Sequence, residues 1–149
     1  MSFRESWFLT VIPIVIAVIM HLVNSNKMGH THSKLNGVIR NRRDLHLVRD
    51  AINTSMTLAI AYMAMFAIYI IAGIILIAFG RIHIFIYSIH IFIFGIITLP
   101  IALIGRVFEK RIKNLNVESH DSDIGIIYQD YLNQWNQPRL KIKEKLNSV

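Results

Sequence analysis

The residues with most chemistry to offer are the seven histidines, His21, His30, His32, His46, His83, His90 and His120. Imidazole ligates haem iron and transition metals, and it exchanges protons near neutral pH. Two of them facing each other in an apolar layer would suggest a b-type haem. Spacing opposes that reading. His83 and His90 share a helix face at i, i+7 but stand about 10.5 Å apart along the axis, too far for one iron. His21 and His90 fall at different depths of their segments. Haem between subunits is the third-ranked expectation. His30-Thr31-His32 lacks a third ligand and reads as solvated loop. His90 lies inside an apolar segment, where an ionisable group is costly unless it faces the bundle interior, a partner or water. The expectation is a neutral imidazole hydrogen-bonded across helices, with conduction or a proton relay as the alternative. His21 and His90 are the intramembrane polar candidates.

Enzyme signatures are missing. There is no Ser/His/Asp arrangement, no pair of intramembrane carboxylates, no phosphate loop and no HExxH, and neither long apolar segment contains Asp or Glu. A carboxylate-based transporter is therefore disfavoured. Zero cysteine excludes disulfides, thiolate metal sites and cysteine nucleophiles. The expectation is a non-catalytic protein with no cofactor and no metal site.

The elements that carry these residues follow from hydropathy. The 149 residues are 54% hydrophobic, with mean hydropathy +0.47, far above the needs of a soluble domain of this size. Residues 56–79 hold no charge, and 82–105 hold only His83 and His90 as ionisable groups. Each exceeds the roughly 20 residues that cross a bilayer core. The connection Gly80-Arg81 is so short that the two form an antiparallel hairpin. Residues 7–23 form a weaker span, reaching only about 25 Å and including Thr10, Pro13 and His21. They read as a retained helix, spanning or else re-entrant or interfacial. A cleaved secretory signal is the competing reading, but its charge pattern is poor and cleavage would export a basic segment.

Lys and Arg set the orientation. Residues 24–55 carry six, the tail from Arg106 eight, and the N-terminus and the hairpin turn one each. The loop 24–55 and the tail are expected on the cytoplasmic side, most simply of a bacterial plasma membrane. The net charge of +7 then faces lipid headgroups, and no nucleic-acid partner is expected. The arrangement is read as one membrane domain, 1–149, all-α: a short first helix plus a long hairpin, with cytoplasmic amphipathic helices.

Within 24–55, Ser33 reads as an N-cap for a helix with Leu35, Val38, Ile39, Leu45, Val48, Ala51 and Ile52 on its apolar face. This helix runs unbroken into the membrane or bends near Asn53-Thr54-Ser55. In the tail 106–149, the basic run beginning Arg106-Val-Phe-Glu-Lys-Arg reads as a stop-transfer flank. Asp121-Ser122-Asp123 then starts an amphipathic helix, 121–135, ended by Pro138. Its face of Ile124, Ile127, Tyr128, Tyr131, Leu132 and Trp135 is the candidate partner-binding surface. The occupant is expected to be another protein, the 35–52 helix or the headgroups, with Gln129, Asp130, Asn133 and Gln134 on the wet side. The closing run 139–143, Arg-Leu-Lys-Ile-Lys, alternates as an edge strand or extended peptide does.

The third apolar helix also carries small residues at Ser88, Gly95, Thr98, Ala102 and Gly105, a candidate helix-packing stripe. Small side chains let spans approach when lipid cancels the hydrophobic drive. Such a stripe closes the hairpin or forms a subunit interface. The topology resembles that of class I phage holins: N-terminus outside, three spans, basic cytoplasmic tail. That likeness implies a homo-oligomeric pore as the alternative function. The first expectation is an accessory or assembly subunit of a larger membrane complex, or a self-associating scaffold. Its partners are the bilayer and other membrane subunits or itself.

Overall fold

In the computed structural model, residues 2, 4–137, 141 and 142 are described. Among them the chain forms four helices and one short strand pair joined by short connections: α1 Phe8–Leu35, β1 Val38–Ile39, α2 Arg42–Ala78, α3 Ile84–Lys113, β2 Asn116–Val117 and α4 Ser122–Trp135. The three long helices are each long and apolar enough to cross a membrane.

The first helix differs from the sequence expectation. It does not stop near residue 23 but continues to Leu35, about 42 Å in all. Ser33 is therefore not an N-cap; its carbonyl accepts the amide of Asn36 inside the closing turn. The stop comes from Asn36 at φ 49° and Gly37 at φ 79°, two residue types that tolerate left-handed backbone and so end helices. The His30–His32 segment is helix rather than loop, with Thr31 buried. The true start of the next helix is Asn41, whose side chain accepts the Asp44 amide at 3.0 Å. From there α2 runs unbroken to Ala78, roughly 55 Å. Segment 24–55 is thus divided among the end of α1, a short connection and the first turns of α2.

Two layers result. In the apolar layer α1 packs along both α2 and α3, while α2 and α3 approach each other little. Aromatic side chains bridge them instead. Tyr62 and Phe66 of α2 stack on Phe94 of α3 and Tyr69 tilts against it, with ring centroids 5.6 to 6.4 Å apart, and Tyr69 meets Tyr87 at 5.7 Å.

Beyond the apolar layer, the ends of the three helices and α4 enclose one core. It comprises Met28 and Leu35 of α1, Leu45, Val48, Ala51, Ile52 and Met56 of α2, Ile112 of α3, and Ile124, Tyr128 and Tyr131 of α4. Ile39, Leu115 and Ile142 complete it. Because α1 and α3 run parallel, the connections leaving them are parallel too, and β1 pairs with β2, Val38 opposite Asn116 and Ile39 opposite Val117. The closing run 139–143 lies mostly outside the described residues, as does Pro138; within it, Ile142 is buried and its amide donates to Asn53 Oδ1 at 2.8 Å.

Candidate functional site

Helix α3 meets α1 in one register along its length. Thr10 faces His90, Ser25 faces Gly105 and Gly29 faces Phe108. The α1 side of this seam is made of small residues, which is why the helices can lie close. Buried positions on α3 are Tyr87, His90, Phe94, Thr98, Gly105 and Ile112, a near-heptad row.

The proposed small-residue stripe divides across this row. Thr98 and Gly105 lie buried in it and Ala102 beside it. Ser88 is exposed and spends its hydroxyl proton on the Ile84 carbonyl at 3.0 Å. A Cβ at Gly95 would meet open space. Ser88 and Gly95 each follow a buried aromatic, Tyr87 or Phe94, and one residue is about 100° of helix rotation. The seam on that half of α3 is aromatic rather than small. The glycine in contact there is Gly73 of α2: a Cβ on it would stand 1.9 Å from Tyr87 Cζ. The Tyr87 ring thus fills the glycine notch, and its hydroxyl donates to the Tyr69 carbonyl at 2.8 Å.

His90 is fully buried. Its Nε2 lies 2.8 Å from Ser6 Oγ, and its Nδ1 is hydrogen-bonded to Thr10 Oγ1. Ser6 donates its single hydroxyl proton to the Ser2 carbonyl at 2.9 Å. Nε2–H therefore donates to Ser6, and a neutral ring accepts from Thr10 at Nδ1. Both ring nitrogens are engaged by hydroxyls of the chain. In sequence Thr10 is only a polar residue of a weak span and Ser6 lies just before that span, so neither signals the contact.

His21 occupies a different site. Its ring is tilted against that of Tyr62 with centroids 5.1 Å apart, and it lines a recess of about 250 Å³ among the three long helices. The apolar part of the lining includes Met20, Leu58 and Met63, and the polar part is His21, Asn24, Ser55, Arg106 and Glu109. Glu109 Oε1 accepts from Ser55 Oγ at 3.1 Å and from Asn24 Nδ2 at 3.5 Å. Two buried atoms here have no hydrogen-bond partner among the described residues, His21 Nε2 and Asn24 Oδ1. Glu109 reads in sequence as one charge of a basic flank, and nothing in its local pattern reveals that three helices converge on it. Among the described residues, no group of three or more His, Cys, Asp or Glu is placed to hold a metal ion.

The face of α4 is covered by the chain itself. Ile124, Tyr128 and Tyr131 are buried in the shared core, and Ile127, Leu132 and Trp135 pack against its edge. Tyr128 donates to the Ile112 carbonyl at 2.6 Å, and burial pushes its hydroxyl above the usual phenolic range. Lys113 lies over the Trp135 ring, 4.7 Å from its centroid. Of the three occupants the sequence allowed, the helix ends of this chain are the one in place. Gln129 and Asn133 are exposed, but Gln134 is buried rather than wet and donates to Asp130 Oδ2 at 2.7 Å, while Ile126 is exposed.

No protein-family model matches this chain, and no curated protein or solved structure matches it either.

Proposed function

We propose that this chain is a non-catalytic integral membrane protein that associates laterally with other membrane subunits or with itself. The observation that carries this reading is the outward surface of the long helices. Ile12, Val15 and Ile19 of α1, Ile68 and Ile71 of α2, and Phe92, Ile96, Leu99 and Leu103 of α3 are all exposed large apolar residues. Water would not tolerate so continuous an apolar girdle; lipid or another span does. The α4 face is already occupied, so association falls to the spans, where Gly95 leaves room on α3 for a neighbouring helix. The count of Lys and Arg supports a cytoplasmic location for the layer containing α4.

The test is purification in mild detergent with mass and absorbance measured together. The expected result is a protein mass well above the 17.2 kDa of one chain, from added copies or a co-purifying subunit, without a Soret band. Gly95→Leu should lower that mass while leaving the single chain folded. A strictly monomeric protein with nothing co-purifying would overturn the association reading, and ion flux through reconstituted vesicles would favour the pore instead.

A further inference from the structure

The recess at Glu109 lies where the chain changes from apolar to polar. Leu58, Met63 and Ala102 are within the apolar stretches, whereas Asn24 and Glu109 lie just beyond them. In a protein whose three long helices span a bilayer, that boundary is the depth of glycerol and headgroup. The unused groups in the recess are mainly acceptors. Asn24 Oδ1 has no donor, because the amide nitrogen is turned to Glu109. His21 Nε2 has none, and in the Nδ1–H tautomer it too is an acceptor. The Glu109 carboxylate carries a negative charge with capacity beyond its two donors. Arg106, exposed at the rim, is the cation.

A purely apolar guest would leave the acceptors unpaired, and an anion seated deep would meet Glu109. A group with several N–H donors and a positive charge satisfies them all. A phosphate attached to that group would reach Arg106.

We propose that this recess binds the headgroup of a phosphatidylethanolamine-type lipid. Its primary ammonium donates to Asn24 Oδ1 and the Glu109 carboxylate, and its phosphate meets Arg106. His21 is a third acceptor. Leu58 and Met63 flank the glycerol end. The specificity-determining feature is the N–H donor, since a choline headgroup has the same charges but no hydrogen to give.

The proposal rests on the reading that the helices span a membrane, and the two fail differently. A chain released from membranes by alkaline washing would overturn that reading before any lipid is compared. For the chain that stays inserted, the full-length protein is reconstituted in discs containing equal phosphatidylethanolamine and phosphatidylcholine. Lipid retained through detergent washing is then quantified by mass spectrometry. The expected result is enrichment of phosphatidylethanolamine by roughly tenfold, the worth of charge-assisted hydrogen bonds. Enrichment should fall stepwise for the N-methyl and N,N-dimethyl headgroups as each donor is removed. Glu109→Gln keeps the side-chain shape and the Ser55 contact and should abolish the preference; Asn24→Ala should reduce it. Equal retention of all four headgroups by the unmutated chain would overturn the proposal and leave a hydrated recess. So would a preference that survives in Glu109→Gln. The methylation series needs no variant, so a misfolded mutant does not blunt the test.

Discussion

The layer of apolar helices and the layer containing α4 are built by the same chain under different physical rules. Around α4, Tyr128, Tyr131, Val48 and Ile112 are buried together in a core fed by all four helices, the arrangement water enforces on large apolar side chains. In the apolar layer fewer side chains are buried, a small cluster around Tyr69, Tyr87 and Phe94, and polar or notched contacts stand beside it: His90 between Ser6 and Thr10, and Tyr87 in the gap left by Gly73. On the proposal that these helices span a bilayer, each gains little from hiding another leucine, and shape and hydrogen bonds decide its neighbours. The lesson is that volume should matter most in one layer and stereochemistry in the other.

The strongest way to break this comparison is to empty the core at α4. Tyr128→Ala removes a fully buried ring and its bond to the Ile112 carbonyl, and should cost about 3–5 kcal/mol. Limited proteolysis should then open the tail while the spans stay inserted. Undiminished protease resistance would mean the layer is not held by its core.

A smaller effect is expected from adding atoms among the apolar helices. Gly73→Ala forces Tyr87 out of its notch and off the Tyr69 carbonyl, at about 1–3 kcal/mol, read as a lower melting temperature in detergent. Gly95→Ala, facing open space, should leave that temperature unchanged. Equal responses at the two glycines would remove the distinction drawn between them.

His90→Leu tests the polar contact. It retains volume but leaves the Thr10 hydroxyl without its acceptor and the Ser6 oxygen without its donor. The cost should be about 1–2 kcal/mol, with much of it recovered when Ser6→Ala and Thr10→Val are added. Failure of the triple variant to recover would show that the imidazole serves more than these two hydroxyls.

The smallest effect is on alkaline stability. Burial raises the Tyr128 hydroxyl in the folded chain, so the neutral phenol is favoured by folding. Its contribution is complete below the unfolded tyrosine range near pH 10 and is lost as pH rises through the higher folded value. Tyr128→Phe should flatten the decline of protease resistance above about pH 10. An identical decline in both proteins would assign it to other groups.

The amino-acid sequence by itself determined three apolar stretches, the short Gly80-Arg81 connection, the charge asymmetry and the start of α4 at Asp121. These are properties of composition and of neighbours a few residues apart: lipid asks only for length and apolarity, and Asp121 caps α4 by accepting the amide of Asp123, two residues away. Even a local signal can be overridden by periodicity: Asn36-Gly37 terminates α1, whereas the helical spacing of Leu35, Val38 and Ile39 suggests a helix starting at Ser33 and running across it. What only the tertiary structure decided is rotation and convergence. Which residues of α3 face its neighbours depends on a turn of about 100° per residue, small enough to exchange Gly95 for Phe94 in the packed row while leaving every hydropathy sum unchanged. The meeting of His21, Asn24, Ser55 and Glu109 likewise joins α1, α2 and α3 across more than eighty positions of sequence. No local preference specifies that meeting, because the energy that selects it exists only once α1 has settled along α2 and α3.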